Sequence, residues 1–201
     1  MNPGMGKRLV NRAFSLIELL VVVTIVIILL TLLSPAVSSI MASWRISQAT
    51  AQLVSAFSLA SQRASAENRT MTLRLIASSS GSWQHLQLVE RADDGTIQPL
   101  DRLVSLPETM QIATNPLLSS FFRLNAMNSG SDDPAIPSLG GSYRFIEFQI
   151  RPDGRLALDV DKKWFLTLIA QREDASASTP PSNFATVQID PVNGGLNVYR
   201  P

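Results

Sequence analysis

The chain has 201 residues, 45% of them hydrophobic and 16% charged, with a formal net charge of +1 and no cysteine. Without cysteine it has no disulfide framework, thiolate metal site or cysteine nucleophile. Removing Lys7, Arg8 and Arg12 from the count leaves 14 basic against 16 acidic residues, a net −2, which is a poor balance for a polyanion-binding protein.

In chain order, the first element is apolar. Residues 1–13 carry Lys7, Arg8 and Arg12 and no acid, and Phe14 to Leu33 then runs FSLIELLVVVTIVIILLTLL, whose only polar residues are Ser15, Glu18, Thr24 and Thr31. Twenty helical residues at about 1.5 Å each cover roughly 30 Å, the thickness of a bilayer's hydrocarbon core. The basic flank predicts a cytoplasmic N-terminus and a C-terminal bulk outside. Glu18, near the start of this run, needs a partner, because an acid at membrane depth costs about 2.5–3.5 kcal/mol. Pro35 stands just past the run, where it predicts a kink or an end.

These residues carry a resemblance. Ala13-Phe14-Ser15-Leu16-Ile17-Glu18-Leu19-Leu20 is similar to the class III signal of type IV pilins and type II secretion pseudopilins, and Pro35 falls where pilins have a helix-breaking proline. The resemblance implies a leader over 1–13, cut between Ala13 and Phe14 by a prepilin peptidase and N-methyltransferase that then methylates Phe14. Ala13 departs from the family's usual glycine. The new ammonium on Phe14 would pair with the Glu18 carboxylate, in the same chain or a neighbour, giving Glu18 a role in assembly register. Two other readings use the same run. Ser34-Pro35-Ala36 resembles a secretory cleavage site, against an apolar region longer than the usual 7–15 residues, an acid inside it and a proline at the cut. An uncleaved single-span anchor is the other.

The 168 residues beyond Leu33 suffice for one domain. From Met41 to Asn68 the helix continues with Ala49, Leu53, Ala56, Phe57, Ala60 and Ala64 as a packing stripe. Trp44 and Arg45 sit at headgroup level or pack on the domain, and the sequence leaves both open. The division is therefore leader 1–13, membrane helix 14–34, amphipathic helix 35–69 and an exported β-rich head 70–201.

The head reads as antiparallel strands. Met71, Leu73 and Leu75 alternate, then Leu86 and Leu88, with turns at Ser78–Ser82 and Asp93-Asp94-Gly95. Leu100 to Leu106 is a further strand candidate. Asn115 to Ser142 reads as a long loop docked by Leu117, Leu118, Phe121 and Phe122. Ile146, Phe148 and Ile150 lead into the turn Arg151-Pro152-Asp153-Gly154, with a return strand expected through Leu156, Leu158 and Val160. Trp164, Leu166 and Leu168 form the next strand, and Val187, Ile189, Leu196 and Val198 a last hairpin around Asn193-Gly194-Gly195. The fold class is α+β, a long helix on an antiparallel sheet. Residues 51–75, 148–154 and 190–198 are similar to the GspH and FimT minor pseudopilins and minor pilins, which implies a low-copy subunit near a filament tip whose partners are other pilins or pseudopilins.

No catalytic constellation is present. His85, the one histidine, alternates onto the polar face beside Gln87 and reads as a surface residue. Asp159 and Asp161 read as a solvated strand end beside Lys162 and Lys163 before they read as a cation site, and Asp132-Asp133 as loop solvation. No cofactor or metal is expected, and no enzyme. A FimT-like DNA-binding role is the alternative binding function. It would need clustered cations on an exposed end, and the terminal hairpin offers Arg200 alone, with Gly195 where a base would serve, so nucleic acid is not the expected partner.

Overall fold

In the computed structural model the described residues are 15–92, 95–124, 128–130, 136, 139 and 143–201, with the side chains of 32–39 and 128–130 outside the description. Ala13, Phe14, Asp93, Asp94, Asp132 and Asp133 therefore lie outside it. The chain divides into two compact units, Met1–Met41 and Ala42–Pro201.

The first unit holds the start of helix α1, which spans Leu16–Glu67. Pro35 lies within that range, and the kink expected at it falls among residues whose side chains are not described.

In the second unit, the stripe predicted from spacing is the buried face of α1. Ala49, Leu53, Ala56, Phe57, Ala60 and Ala64 are buried, joined by Ile46 one turn earlier. Alanines at four of the stripe positions let the helix lie close to the sheet, and Phe57 fills the remaining space by stacking on Phe148 at 5.1 Å. The helix ends where the sequence changes. Asn68 takes φ 50, and Arg69 donates its amide hydrogen to the Ala64 carbonyl at 3.1 Å, an αL termination that asparagine accepts more readily than most residues.

Among the described residues ten strands and one short 3-10 helix follow: β1 Met71–Ala77, β2 Trp83–Arg91, β3 Ile97–Pro99, β4 Val104–Ser105, β5 Met110–Ile112, the 3-10 turn Ser120–Arg123, β6 Asn128–Gly130, β7 Tyr143–Ile150, β8 Trp164–Ala170, β9 Ala185–Ile189 and β10 Leu196–Tyr199. They form two antiparallel sheets where one was expected. The first has the order β3-β2-β1-β7-β6 with β4 also on β2, and the second β10-β9-β8-β5. The junction is polar: the Gln84 side-chain amide donates to the Met110 carbonyl at 2.9 Å, and Leu106 donates its amide hydrogen to the Gln84 carbonyl at 2.8 Å. Both sheets and α1 share one hydrophobic core.

The loop expected over 115–142 carries the 3-10 turn and β6, and two strand expectations also differ from the structure. The span 100–106 supplies only β4, because Leu100 and Leu106 each pair their backbone once with β2 and then turn away. The return strand through Leu156, Leu158 and Val160 does not form. A single bridge joins Ile150 to Leu156, the Leu156 amide then donates to the Pro191 carbonyl at 2.9 Å, and Val160 stays exposed. The far edge of β7 is taken over 143–145 by β6.

The expected loop island is real. Leu118 and Phe121 are buried, Phe121 lies 4.9 Å from Phe148 and 5.4 Å from Trp164, and Phe122 meets Trp83 edge-on at 4.9 Å. Leu117 is the exception and is exposed.

Candidate functional site

The helical part of the first unit is apolar on every side. From Leu16 to Leu30 each Leu, Ile and Val side chain is between 46% and 84% exposed. Consecutive exposed apolar residues, rather than one stripe, call for surroundings that cover the whole helix, either lipid or other helices. At about 1.5–3 kcal/mol per side chain buried, covering them is worth tens of kcal/mol. The threonines do not oppose this. Thr24 Oγ1 donates to the Leu20 carbonyl at 2.8 Å and Thr31 Oγ1 to the Ile28 carbonyl at 2.7 Å, so their hydroxyls are satisfied within the helix. Glu18 lies in the first turn of α1 and is exposed. Among the described residues no helix is long and apolar enough to cross a membrane; the run 14–33 extends past the described side chains at both ends.

The second unit is closed by two interlocked turns next to α1. In the first, Gly154 donates to the Arg151 carbonyl at 2.9 Å with φ +81, and Ser65 Oγ of the helix donates to the Pro152 carbonyl at 2.8 Å. In the second, Gly194 has φ +68 and donates to the Asp190 carbonyl at 2.9 Å, while Asn193 Oδ1 accepts the Gly195 amide hydrogen at 2.6 Å. The turns meet at their glycines: a Cβ on residue 194 would stand 2.6 Å from the Gly154 carbonyl oxygen. The two C-terminal turn motifs are thus one structural feature, a joint between the sheets.

The outer face of the first sheet is less wet than alternation suggests. His85 and Gln87 do point away from α1, but His85 is half-buried, with Nδ1 2.9 Å from Ser105 Oγ, and Gln87 is buried, its Oε1 without a hydrogen-bond partner among the described residues. A second apolar cluster of Ile76, Ile136, Leu139, Tyr143 and Phe145 covers part of this face. Between them lies a group that period-two reading passed over. Arg74, on the central strand, is 1% exposed, bonds Glu147 at 3.1 Å and places its guanidinium 4.1 Å above the Phe145 ring. Arg91 completes the network on Glu147 at 3.3 Å. The register that sets Arg74 opposite both Gln87 and Glu147 emerges only from strand order.

Burial pushes the His85 imidazole below its ordinary value. The unfolded chain therefore takes up a proton before the folded one, so stability from this source is complete above about pH 6.5 and is lost as the pH falls through the lowered folded value. We expect the denaturant midpoint of the head to drop as the pH falls below about 6.5, and His85→Gln to flatten that part of the profile. Identical pH slopes in the two proteins would refute it. Asp159 titrates elsewhere: hydrogen bonding to Lys162 and then the Asp161 amide hold its carboxyl below the usual carboxylate range, so its contribution is lost only in stronger acid. Asp159 meets Lys162 at 2.9 Å in an exposed turn. Among the described residues no three His, Cys, Asp or Glu side chains come together as a metal site.

A polar cleft of about 570 Å³ is lined by Arg69, Thr70, Glu90, Arg91, Ala92 and Gln98. Its cations are engaged, Arg69 with Glu90 at 2.5 Å and Arg91 with Glu147, which Arg74 shares, so the ion-paired group of three arginines and two glutamates keeps one positive charge in excess.

The features with an outward-facing chemistry are therefore the apolar helix and Glu18, while the head contributes rigid turns and strands. A model of the prokaryotic N-terminal methylation motif matches residues 8–34, spanning Arg8 and Arg12 of the basic flank, Ala13, Phe14, Glu18 and the whole apolar run 14–33. The match supports a type IV pilin-like protein, with which the α+β architecture of a helix packed on antiparallel sheets is consistent. No curated protein and no solved structure matches the chain.

Proposed function

We propose that the chain is a minor pilin or pseudopilin of the GspH and FimT kind, a structural subunit and not an enzyme. A prepilin peptidase removes residues 1–13, Phe14 becomes the methylated N-terminus, and residues 14–33 hold the protein in the inner membrane with the head outside. From there it joins other pilins or pseudopilins in a type IV pilus or a type II secretion pseudopilus, with Pro35 bending the helix above the membrane. The observation that carries this reading is the motif over 8–34 on a helix whose apolar side chains are uncovered all round. Such a surface is suited first to lipid and then to neighbouring helices in a filament. Glu18 fits the transfer between them, because a carboxylate facing the Phe14 ammonium neutralises both charges at membrane depth.

The test is mass spectrometry of the mature N-terminus from membranes containing a prepilin peptidase. A methylated Phe14 is the expected start. A start at Val37 would make the chain an ordinary secreted domain, and an intact leader would make it a plain anchor. With processing established, Glu18→Ala is expected to stay in the membrane fraction at normal level and fall at least about tenfold in incorporation, the equivalent of roughly 1.4 kcal/mol. Normal incorporation of that variant would remove the assembly role from Glu18.

A further inference from the structure

We infer that the loop 171–184 is a modification site that carries O-linked carbohydrate, on Thr179 first and on Ser178 and Ser182 beside it. The inference rests on the export of the head proposed above, because the sugar donor it calls for is used outside the inner membrane.

Length singles this loop out. β8 and β9 are neighbouring antiparallel strands that about 2–5 residues could join, yet the chain uses residues 171–184 there. Its base is fixed to the head. Gln111 Nε2 donates to the Gln171 and Glu173 carbonyls at 3.1 and 3.0 Å, Thr114 donates its amide hydrogen to the Ala175 carbonyl at 2.7 Å, and Asn115 Nδ2 donates to the Ser176 carbonyl at 2.8 Å. Ala175 and Phe184, one on each limb, pack against Ala113, Leu118 and Ile169. A held base thus presents the tip Ser178-Thr179-Pro180-Pro181-Ser182.

The chemistry of the tip is that of an acceptor. Ser178, Thr179, Pro180 and Ser182 are exposed, and among the described residues the three hydroxyls have no hydrogen-bond partner. Hydroxyls in the other serine-rich turns are engaged: Ser78 and Ser80 bond each other at 2.7 Å, and Ser119 and Ser120 accept amide hydrogens of β8. Thr179 and Pro180 each precede a proline, which disfavours the helical region for both, and neither proline has an amide hydrogen to give to a sheet ladder. The result is an extended, unpaired backbone with free hydroxyls, which a transferase can bind as its acceptor, and serine and threonine mixed with proline is the composition of O-glycosylated segments. Competing roles lack their chemistry. From Ala175 to Ile189 no residue is charged, and the tip has neither the aromatic ring nor the arginine that anchors a protein interface.

The donor class is a sugar linked to a polyprenyl diphosphate. The Thr179 hydroxyl oxygen attacks the anomeric carbon, the bond from that carbon to the diphosphate oxygen breaks, the diphosphate leaves on its lipid, and the hydroxyl proton passes to a base of the transferase. No oxidant or reductant is needed.

The experiment takes the full chain from membranes of its source cells and cleaves it after glutamate. No glutamate follows Glu173, so this releases 174–201 as one peptide. Mass spectrometry with fragmentation that leaves side-chain adducts in place should find that peptide heavier by a whole number of sugar residues, located at Thr179 and its two neighbours. Thr179→Val should remove the larger part of the adduct. Ser178→Ala, Thr179→Val and Ser182→Ala together should abolish it and leave the unfolding midpoint where it was, as these hydroxyls hold no other described group. The N-terminal peptide of the same sample reads processing. A methylated Phe14 with a bare 174–201 would overturn the inference alone, and an intact leader with a bare 174–201 would overturn the pilin reading as well. An adduct that survives the triple variant, or one with the mass of a phosphate, would also overturn the inference.

Discussion

Phe121→Ala is expected to lower the unfolding free energy of the head by about 3–5 kcal/mol. Phe121 is fully buried and touches two rings, Phe148 from the first sheet and Trp164 from the second, so its removal opens a cavity where the sheets and the loop meet. It also holds its neighbours in place. The Ser119 and Ser120 hydroxyls accept the Thr167 and Phe165 amide hydrogens at 3.0 and 2.8 Å, serving β8 beyond the reach of β5. A loosened 3-10 turn would leave those donors unmet, at about 1–3 kcal/mol for each one that stays buried. Denaturant unfolding of the full chain, followed by the fluorescence of the buried tryptophans, reads the effect. Leu117→Ala, four residues away but exposed, is the control and should change stability by less than about 0.5 kcal/mol. If the two variants unfold alike, the loop is not part of the core.

Among the described glycines Gly194→Ala should be the most damaging change, by roughly 2–4 kcal/mol, because it adds left-handed backbone strain to a clash with main chain. The atom it meets, the Gly154 carbonyl oxygen at 2.6 Å, belongs to a turn held by the helix and cannot rotate away as a side chain would. Two other glycines separate the contributions. Gly95 has φ +84 and nothing within 4 Å of an added Cβ, and Gly154 has φ +81 with its nearest atoms at 3.8 Å, so alanine at either should show the strain alone, about 1 kcal/mol. Thermal unfolding of the three variants gives the ranking directly. Equal losses at 194 and 95 would mean that the two turns are free to part.

Part of this protein is local and was therefore legible in the sequence. The apolar run, the basic flank and Glu18 are contiguous, and their meaning depends on lipid thickness and charge, not on any distant partner. The stripe from Ala49 to Ala64 follows from helical period, and β1, β2, β7, β8, β9 and β10 from alternation, because one face of each packs on the same core. The turn glycines were readable because few other residues tolerate their backbone angles.

What remained was decided by pairings between segments far apart. Period two tells which face a residue occupies and not what covers that face, so His85 and Gln87 were assigned to water although Ile76, Ile136, Leu139, Tyr143 and Phe145 form a second layer nearby. Arg74 is polar by composition and interior by its surroundings, since β1 is buried on both faces, with the main core against Leu73 and Leu75 and with Phe145 and Glu147 against Arg74. The return after Gly154 pairs with β7 only through the Ile150–Leu156 bridge, where Ala157 donates to the Gln149 carbonyl, and the outward Leu156 amide binds Pro191, 35 residues later. Sequence by itself determined the helix, its apolar run and the six longer-patterned strands β1, β2, β7, β8, β9 and β10, each written in a short repeating pattern. Tertiary structure alone decided that there are two sheets, that Gly154 and Gly194 meet, and that Arg200 reaches Ser47, because each joins residues that no local pattern relates.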